Sequence, residues 1–306
     1  MKKFMFGFIF ILLCSFVLAD SAPQTGKPIL SLENGDLVCL PQGDFDLDGD
    51  SIYHVYDFRN NGISDSVINM PFERSLRLLL RDYSTYLNKG TRNLFTRWLA
   101  TDGYDGSGAL LFDSNQDFAT IPNTATTSFD NEGSYTWSFW LYTMDFLRVQ
   151  KLVSKEVSGV SGYEIRIDEN NRIKFVNPAT WGSYTTSEML TDGWNYIVVT
   201  YNQGIVNIYL NGIKQDLVLS GALNLVDDIS SDTLLGVQGD EYFRGYFDEF
   251  KLYNKILSDD QILINYNRDV RRLSGNELRN GCYVCAITPV DDDGNGITRL
   301  SNEICF

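Results

Sequence analysis

The stretch Asp44-Phe45-Asp46-Leu47-Asp48-Gly49-Asp50 sets carboxylates on alternate residues around one glycine. Calcium loops use oxygen ligands in this alternation, with a glycine at the sharp turn. It is not an EF-hand. The twelfth position from Asp44 is Val55, where that loop needs a bidentate Glu, and no helical pattern flanks it. A second acidic run, Asp291-Asp292-Asp293, lies near the C-terminus. The competing reading of both runs is solvated acidic loops. Trp181 and Tyr184, in the polar stretch NPATWGSYTTS, are the aromatics best placed to stack on a sugar, against the alternative of core or rim packing. Trp137, Trp140 and Trp194 fall in strand patterns and are assigned to the core. His54 is the sole histidine, so a Ser-His-Asp triad or a multi-histidine metal site would have to use it or do without. It sits in the alternating run IYHVYDF and reads as a strand residue. No catalytic residue is assigned.

Composition narrows the partners. The net charge is −15 and the pI about 4.4, which argues against nucleic acid and is compatible with cation binding. Lys2 and Lys3, the apolar run from Phe4 to Leu18 and the short residues up to Ala19 form a signal-peptide pattern over residues 1–19. The alternative is an N-terminal anchor, but a membrane span needs roughly 20 residues and this run is shorter. No later stretch is long and apolar enough to span, so the expectation is an extracellular or cell-surface chain with no membrane span after cleavage. There is no Asn-x-Ser/Thr sequon.

The elements that must carry these residues are strands. TWSFWLY, YEIRID, RIKFV, WNYIVVTY, IVNIYLNG and FDEFKLY alternate with Gly, Asn and Asp turns, the pattern of a sandwich or barrel. One helix is expected after Ser258, which can cap it, with Asp259 and Asp260 in the first turn.

Residues 66–270 resemble a laminin-G-like domain of the concanavalin A-like lectin/glucanase superfamily. The resemblance rests on pieces in family order: INMPFE, DYSTYLNKGT, GYDGSGALLFDSNQDFATIP, SYTWSFWLY, KLVSKE, DGWNYIVVTYNQGIVNIYLNGI and RGYFDEFKLYNKILSDDQILINYN. RSLRLLL (74–80) is longer and more apolar than the usual turn, and DSNQD replaces a more common Asp-Gly. The resemblance implies an all-β jelly-roll sandwich. It also implies a structural calcium on the closing strand through Asp248, with Asp113 as a further ligand. The alternative for Asp248 and Glu249 is plain alternation on a half-exposed strand. The glucanase pattern Glu-x-Asp-x-x-Glu is absent. Adjacent residues of a regular strand face opposite ways, so Asp248 and Glu249 are not expected to flank one glycosidic bond.

The flanks, residues 28–65 and 271–306, each read as half of a small Ig-like sandwich, resembling Ig-like repeats of microbial, notably archaeal, surface proteins. DLVCLP, IYHVYDF, GCYVCAITP and LSNEICF carry the resemblance, with Tyr283 two residues before Cys285. It implies a Cys39–Cys285 disulfide between sheets, Phe58 in the usual Trp position, and Cys282 left for Cys305. A four-cysteine zinc site is the alternative, disfavoured in an oxidising compartment. It also brings the loop of Asp44, Asp46, Asp48 and Asp50 to the same end as Asp291 and Asp293, a concentration of charge that a calcium ion would relieve. Calcium is thus the one expected cofactor. The expected function is non-catalytic recognition of a glycan or another surface protein. A structural cell-envelope component is the alternative, and a glycoside hydrolase the third reading.

Overall fold

The computed structural model describes residues 21–236, 241–291 and 294–306. The signal-peptide pattern at 1–19 and Asp293 lie outside the described residues. The described residues are almost entirely antiparallel β structure, with one α-helix among them at Asp259–Tyr266. Among the described residues no helix is long and apolar enough to cross a membrane.

Strand Ser134–Thr143 shows why the central block becomes a sandwich. Trp137, Phe139 and Leu141 join the main core, while Thr136, Ser138, Trp140 and Tyr142 alternate to the other face. It pairs with Trp194–Asn202 on one side and Gly245–Tyr253 on the other. This eight-stranded sheet faces a ten-stranded one running from Leu217–Ser220 to Ser75–Leu76. Between them lies a layer rich in aromatics, including Phe129, Trp137, Phe139, Tyr163, Phe175, Phe247 and Phe250. This is the jelly-roll sandwich that the strand pattern and the resemblance implied. Gly245 marks a close crossing: its φ is +154° and a Cβ there would lie 2.0 Å from the Tyr142 carbonyl oxygen. The helix forms where expected. The Ser258 hydroxyl accepts the Gln261 N–H at 3.2 Å, and Ile262 packs onto the outer face of the eight-stranded sheet with Leu257, Tyr253 and Tyr196.

The two flanks build one second sandwich. Ile29–Glu33, Asp36–Leu40 and Arg272–Leu273 form one sheet. Tyr53–Asn60 pairs along its length with Cys282–Val290 in the other. Leu30, Leu37, Phe58, Leu273, Tyr283 and Ile287 fill the space between. Cys39 is bonded to Cys285, and Cys282 to Cys305 across neighbouring strands, the pairing the resemblance implied. The Tyr283 hydroxyl accepts the Arg279 N–H at 2.8 Å, four residues upstream. Because Cys39 and Cys285 are 246 residues apart, their bond closes a very long loop. Replacing both with Ala is expected to lower the stability of the flank sandwich by about 2–4 kcal/mol, read from its urea midpoint. An unchanged midpoint would show that the bond does not tie the flanks.

Candidate functional site

The closing strand departs from regular alternation. Phe247, Phe250 and Leu252 all enter the core, so the spacing across Asp248-Glu249 is three rather than two. Pairing slips at this point: Trp140 opposes Asp248, but Ser138 opposes Lys251. Glu249 has φ +52°, the left-handed conformation of a bulge. Both carboxylates therefore lie on the outer face of the sheet, which corrects the expectation that adjacency splits them. Asp248 bonds the loop above that face, and Glu249 pairs with Lys251 at 2.7 Å.

An acidic floor results. Asp248 is completely buried; its Oδ2 accepts the Tyr104 N–H at 3.1 Å and its Oδ1 the Glu249 N–H at 2.7 Å. Glu73 accepts the Gly108 N–H at 3.2 Å, and Asp105 the Ser107 N–H at 3.0 Å. Burial pushes the Asp248 and Glu73 carboxyls far above the usual range, and repulsion among Glu73, Asp105, Asp248 and Glu249 adds to it. At Gly103 a Cβ would lie 2.8 Å from each of Asp248 Oδ2, Ser107 O and Gly108 O, so oxygens converge where only glycine fits. This all-oxygen donor set fits a hard divalent cation such as calcium. Among the described residues no three of these carboxylates bring oxygens within 4.8 Å of one another, so carbonyls would have to complete the shell. Asp113 is not part of it. The Leu110–Phe247 register puts Asp248 beside Ala109, and Asp113 is four residues further on, about 13 Å away. It is exposed and pairs with Arg97 at 3.1 Å.

Over this floor lies an aromatic layer. Tyr104 stacks on Trp140 at 4.4 Å, and Tyr266 stacks on Trp140 at 5.9 Å. The Arg268 guanidinium sits 5.0 Å from the Tyr104 ring centroid. Beside them opens a cleft of about 380 Å³ lined by Trp140, Trp194, Tyr266, Thr191, Asn211, Asn267 and Arg268. Flat rings with amide, hydroxyl and guanidinium groups can stack on and hydrogen-bond a hydroxyl-rich ring. Trp140, 5% exposed, is buried as its core assignment expects, in the cluster on the outer face of the sheet, whereas Trp194 is only half-buried and departs from that assignment. Strand alternation was the signal for this outer face: Trp140 is three residues from Trp137, so the two face opposite ways. Trp194 pairs with outward-facing Tyr142.

The aromatics singled out from the sequence part company. Trp181 is 55% exposed, with φ +60°, and lies 5.8 Å from Arg166 on the outer side of the ten-stranded sheet. Tyr184 pairs with Phe175 and packs against the core, so the two do not form a platform.

The flank loop is held by its own contacts. Asp44 bonds Thr25 at 2.7 Å and His54 at 3.1 Å, so His54 does more than occupy its strand. Asp46 Oδ1 accepts the N–H groups of Asp48 and Gly49, both at 3.0 Å, and Asp48 accepts that of Ser21 at 2.8 Å. The Asp48 contact and these backbone donors hold the Asp46 carboxyl below its ordinary value. Asp50 is exposed. Asp291 accepts the Gly294 N–H at 2.6 Å within its own turn. The N-terminal segment contacts both loops: Gln24 bridges to Phe45, and Pro23 abuts Gly296. Asp46 Oδ2 and Asp48 Oδ1 are buried without a hydrogen-bond partner, and among the described residues no three carboxylates at this end bring oxygens within 4.8 Å of one another.

No curated protein matches the chain. Among solved structures, the binding domain of Paraclostridial Mosquitocidal Protein 1 superposes with a TM-score of 0.53 at 17% identity, over 67% of this chain and 52% of that one. The receptor binding domain of botulinum neurotoxin D gives 0.53 at 17%, over 67% and 52%. Domain 4 of AbnA, an extracellular arabinanase from Geobacillus stearothermophilus, in complex with arabinotriose, gives 0.50 at 17%, over 66% and 98%. The chain spans about half the length of the toxin domains it matches. At such identities the likeness establishes the fold alone. The central block is a jelly roll, and residues 113–263, about half of the chain, match the Laminin_G_3 family, described as the concanavalin A-like lectin/glucanases superfamily.

Proposed function

We propose that this protein is a non-catalytic, extracellular or cell-surface glycan-binding module, whose jelly roll is inserted in an Ig-like sandwich. The observation that carries the reading is the open cleft in which Trp194 and Tyr266 stand beside Asn211, Asn267 and Arg268. Two neighbours of the same fold were solved with sugars, arabinotriose in one and N-acetylneuraminic acid in the other, which supports a glycan as ligand. Buried Asp248 has no access to a substrate, which supports binding rather than glycoside hydrolysis. Calcium, when bound at the acidic floor, would neutralise Asp248 and Glu73 and tie residues 102–108 to the closing strand.

A glycan array followed by titration of the best ligand tests the site. Trp194→Ala is expected to weaken binding about 10- to 100-fold, the loss typical of a stacked aromatic anchor, while Trp181→Ala leaves it within about twofold. The reverse pattern would move the site to the other sheet, and binding to no glycan would sink the reading. Calcium at a hundredfold excess over its Kd is expected to raise stability by about 2.7 kcal/mol, and the rise should vanish in Asp248→Asn. A rise lost in Asp48→Ala but kept in Asp248→Asn would place the ion in the flank loop instead.

A further inference from the structure

A second cavity, of about 400 Å³, lies at the junction of the two sandwiches. The hairpin Ser75–Leu76/Leu79–Arg81, the strand Lys89–Arg92 and Asn295 of the flank sandwich border it. That hairpin is the apolar segment RSLRLLL, which departs from the laminin-G-like pattern. The lining is mainly aliphatic: Leu80 is buried at the base, and Leu79 and Leu87 are exposed at the rim, Leu87 by 68%. Gly90 packs closely behind the base, since a Cβ there would come within 3.0 Å of Leu80 and Met70.

Charge is distributed unlike the rest of this acidic chain. Arg74, Arg81 and Lys89 all line the cavity, and none of the three has a carboxylate partner among the described residues. Arg81 instead stands 4.7 Å from the Tyr83 ring centroid. Asp82, the carboxylate of the lining, is buried and committed to the N–H groups of Asn69, Ser84 and Asn88 at 2.8–2.9 Å. It does not answer the cations. An aliphatic pocket rimmed by cations that no described carboxylate answers is complementary to a molecule with an acyl chain and one anionic head. A bare sugar would leave the aliphatic wall without a counterpart, and a cationic amphiphile would meet like charge.

We propose that this cavity binds a single-chain anionic amphiphile, with its alkyl chain against Leu79, Leu80 and Leu87 and its head among Arg74, Arg81 and Lys89. The proposal does not depend on the glycan cleft, which lies on the outer face of the other sheet.

Calorimetric titration of the full chain with decanoate, below its micelle concentration, tests it. Saturable 1:1 binding is expected. It should weaken at least tenfold in Arg81→Glu/Lys89→Glu, whose side chains are exposed and leave the fold intact. Decyltrimethylammonium should bind at least tenfold more weakly than decanoate. A parallel arm with phosphatidylglycerol vesicles, against phosphatidylcholine vesicles, separates a lipid-borne head from a free one. Binding to phosphatidylglycerol vesicles alone, lost in the double variant, supports the same chemistry with a lipid as its source. No binding in either arm, equal binding of the cationic amphiphile, or binding unchanged by the double charge reversal would overturn the proposal.

Discussion

Lys255→Met is expected to destabilise the protein by about 3–5 kcal/mol, because it strips the counter-ion from two carboxylates at the seam of the sandwiches. Lys255 Nζ lies 2.6 Å from Asp65 Oδ1 and 2.6 Å from Glu277 Oε2. Asp65 leads out of the first flank, Glu277 belongs to the second, and Lys255 follows the closing strand of the jelly roll. One ammonium group thus ties both flanks to the jelly roll, with Asp65 190 residues away in sequence and Glu277 22. Glu277 is buried and also accepts the Ser258 N–H at 2.7 Å. Burial works against its charge, but Lys255 and the Ser258 contacts together hold its carboxyl below the usual range. Burial pushes Asp65 up in spite of Lys255. With the lysine gone, both carboxyls should lie above their unfolded values. The folded state then holds more protons than the unfolded chain, so the variant should recover stability as pH falls from 7 towards 5. Urea unfolding at both pH values reads this. A loss below about 1 kcal/mol would mean that the pair behaves as an exposed one.

The second large effect is expected at Trp137. Trp137→Ala should cost about 3–5 kcal/mol, from lost burial and the cavity left behind. The ring is 1% exposed and lies 4.5 Å from Tyr163, 5.7 Å from Tyr135 and 5.9 Å from Phe175. Its Nε1 donates to the buried Tyr163 hydroxyl at 2.8 Å. Trp137→Phe keeps most of the apolar contact and loses this bond, so about 1 kcal/mol is expected. Trp194→Ala, on the cleft, should cost less stability than Trp137→Ala. If the two alanine variants lost the same stability in urea titrations, the division between core and cleft tryptophans would be wrong.

Much of the architecture is legible in the chain because it rests on period-two alternation and turn chemistry. The strand SYTWSFWLYT, the Ser258-capped helix and the cysteines all follow local rules or a family pattern that reports on them. The site is less legible because one backbone angle reorganises it. The left-handed Glu249 turns Asp248 and Glu249 to one face, and the composition of YFDEF does not display that angle. Trp140 and Trp194 could have been found by following the alternation outward from Trp137. Tyr184 could not be separated from Trp181 by local polarity, since its inward direction is set by pairing with Phe175. The flank loop is a different case. Its carboxylates have the right spacing for a cation, and residues 21–25 pack against them, a contact that nothing in either stretch announces.

The most direct measurement is a structure of the protein with its tightest-binding glycan. The account places a sugar ring against Trp194 and Tyr266, with Arg268, Asn211 or Asn267 hydrogen-bonded to its hydroxyl groups. A sugar seated on Trp181, or anywhere else with the Trp194 cleft empty, would contradict it.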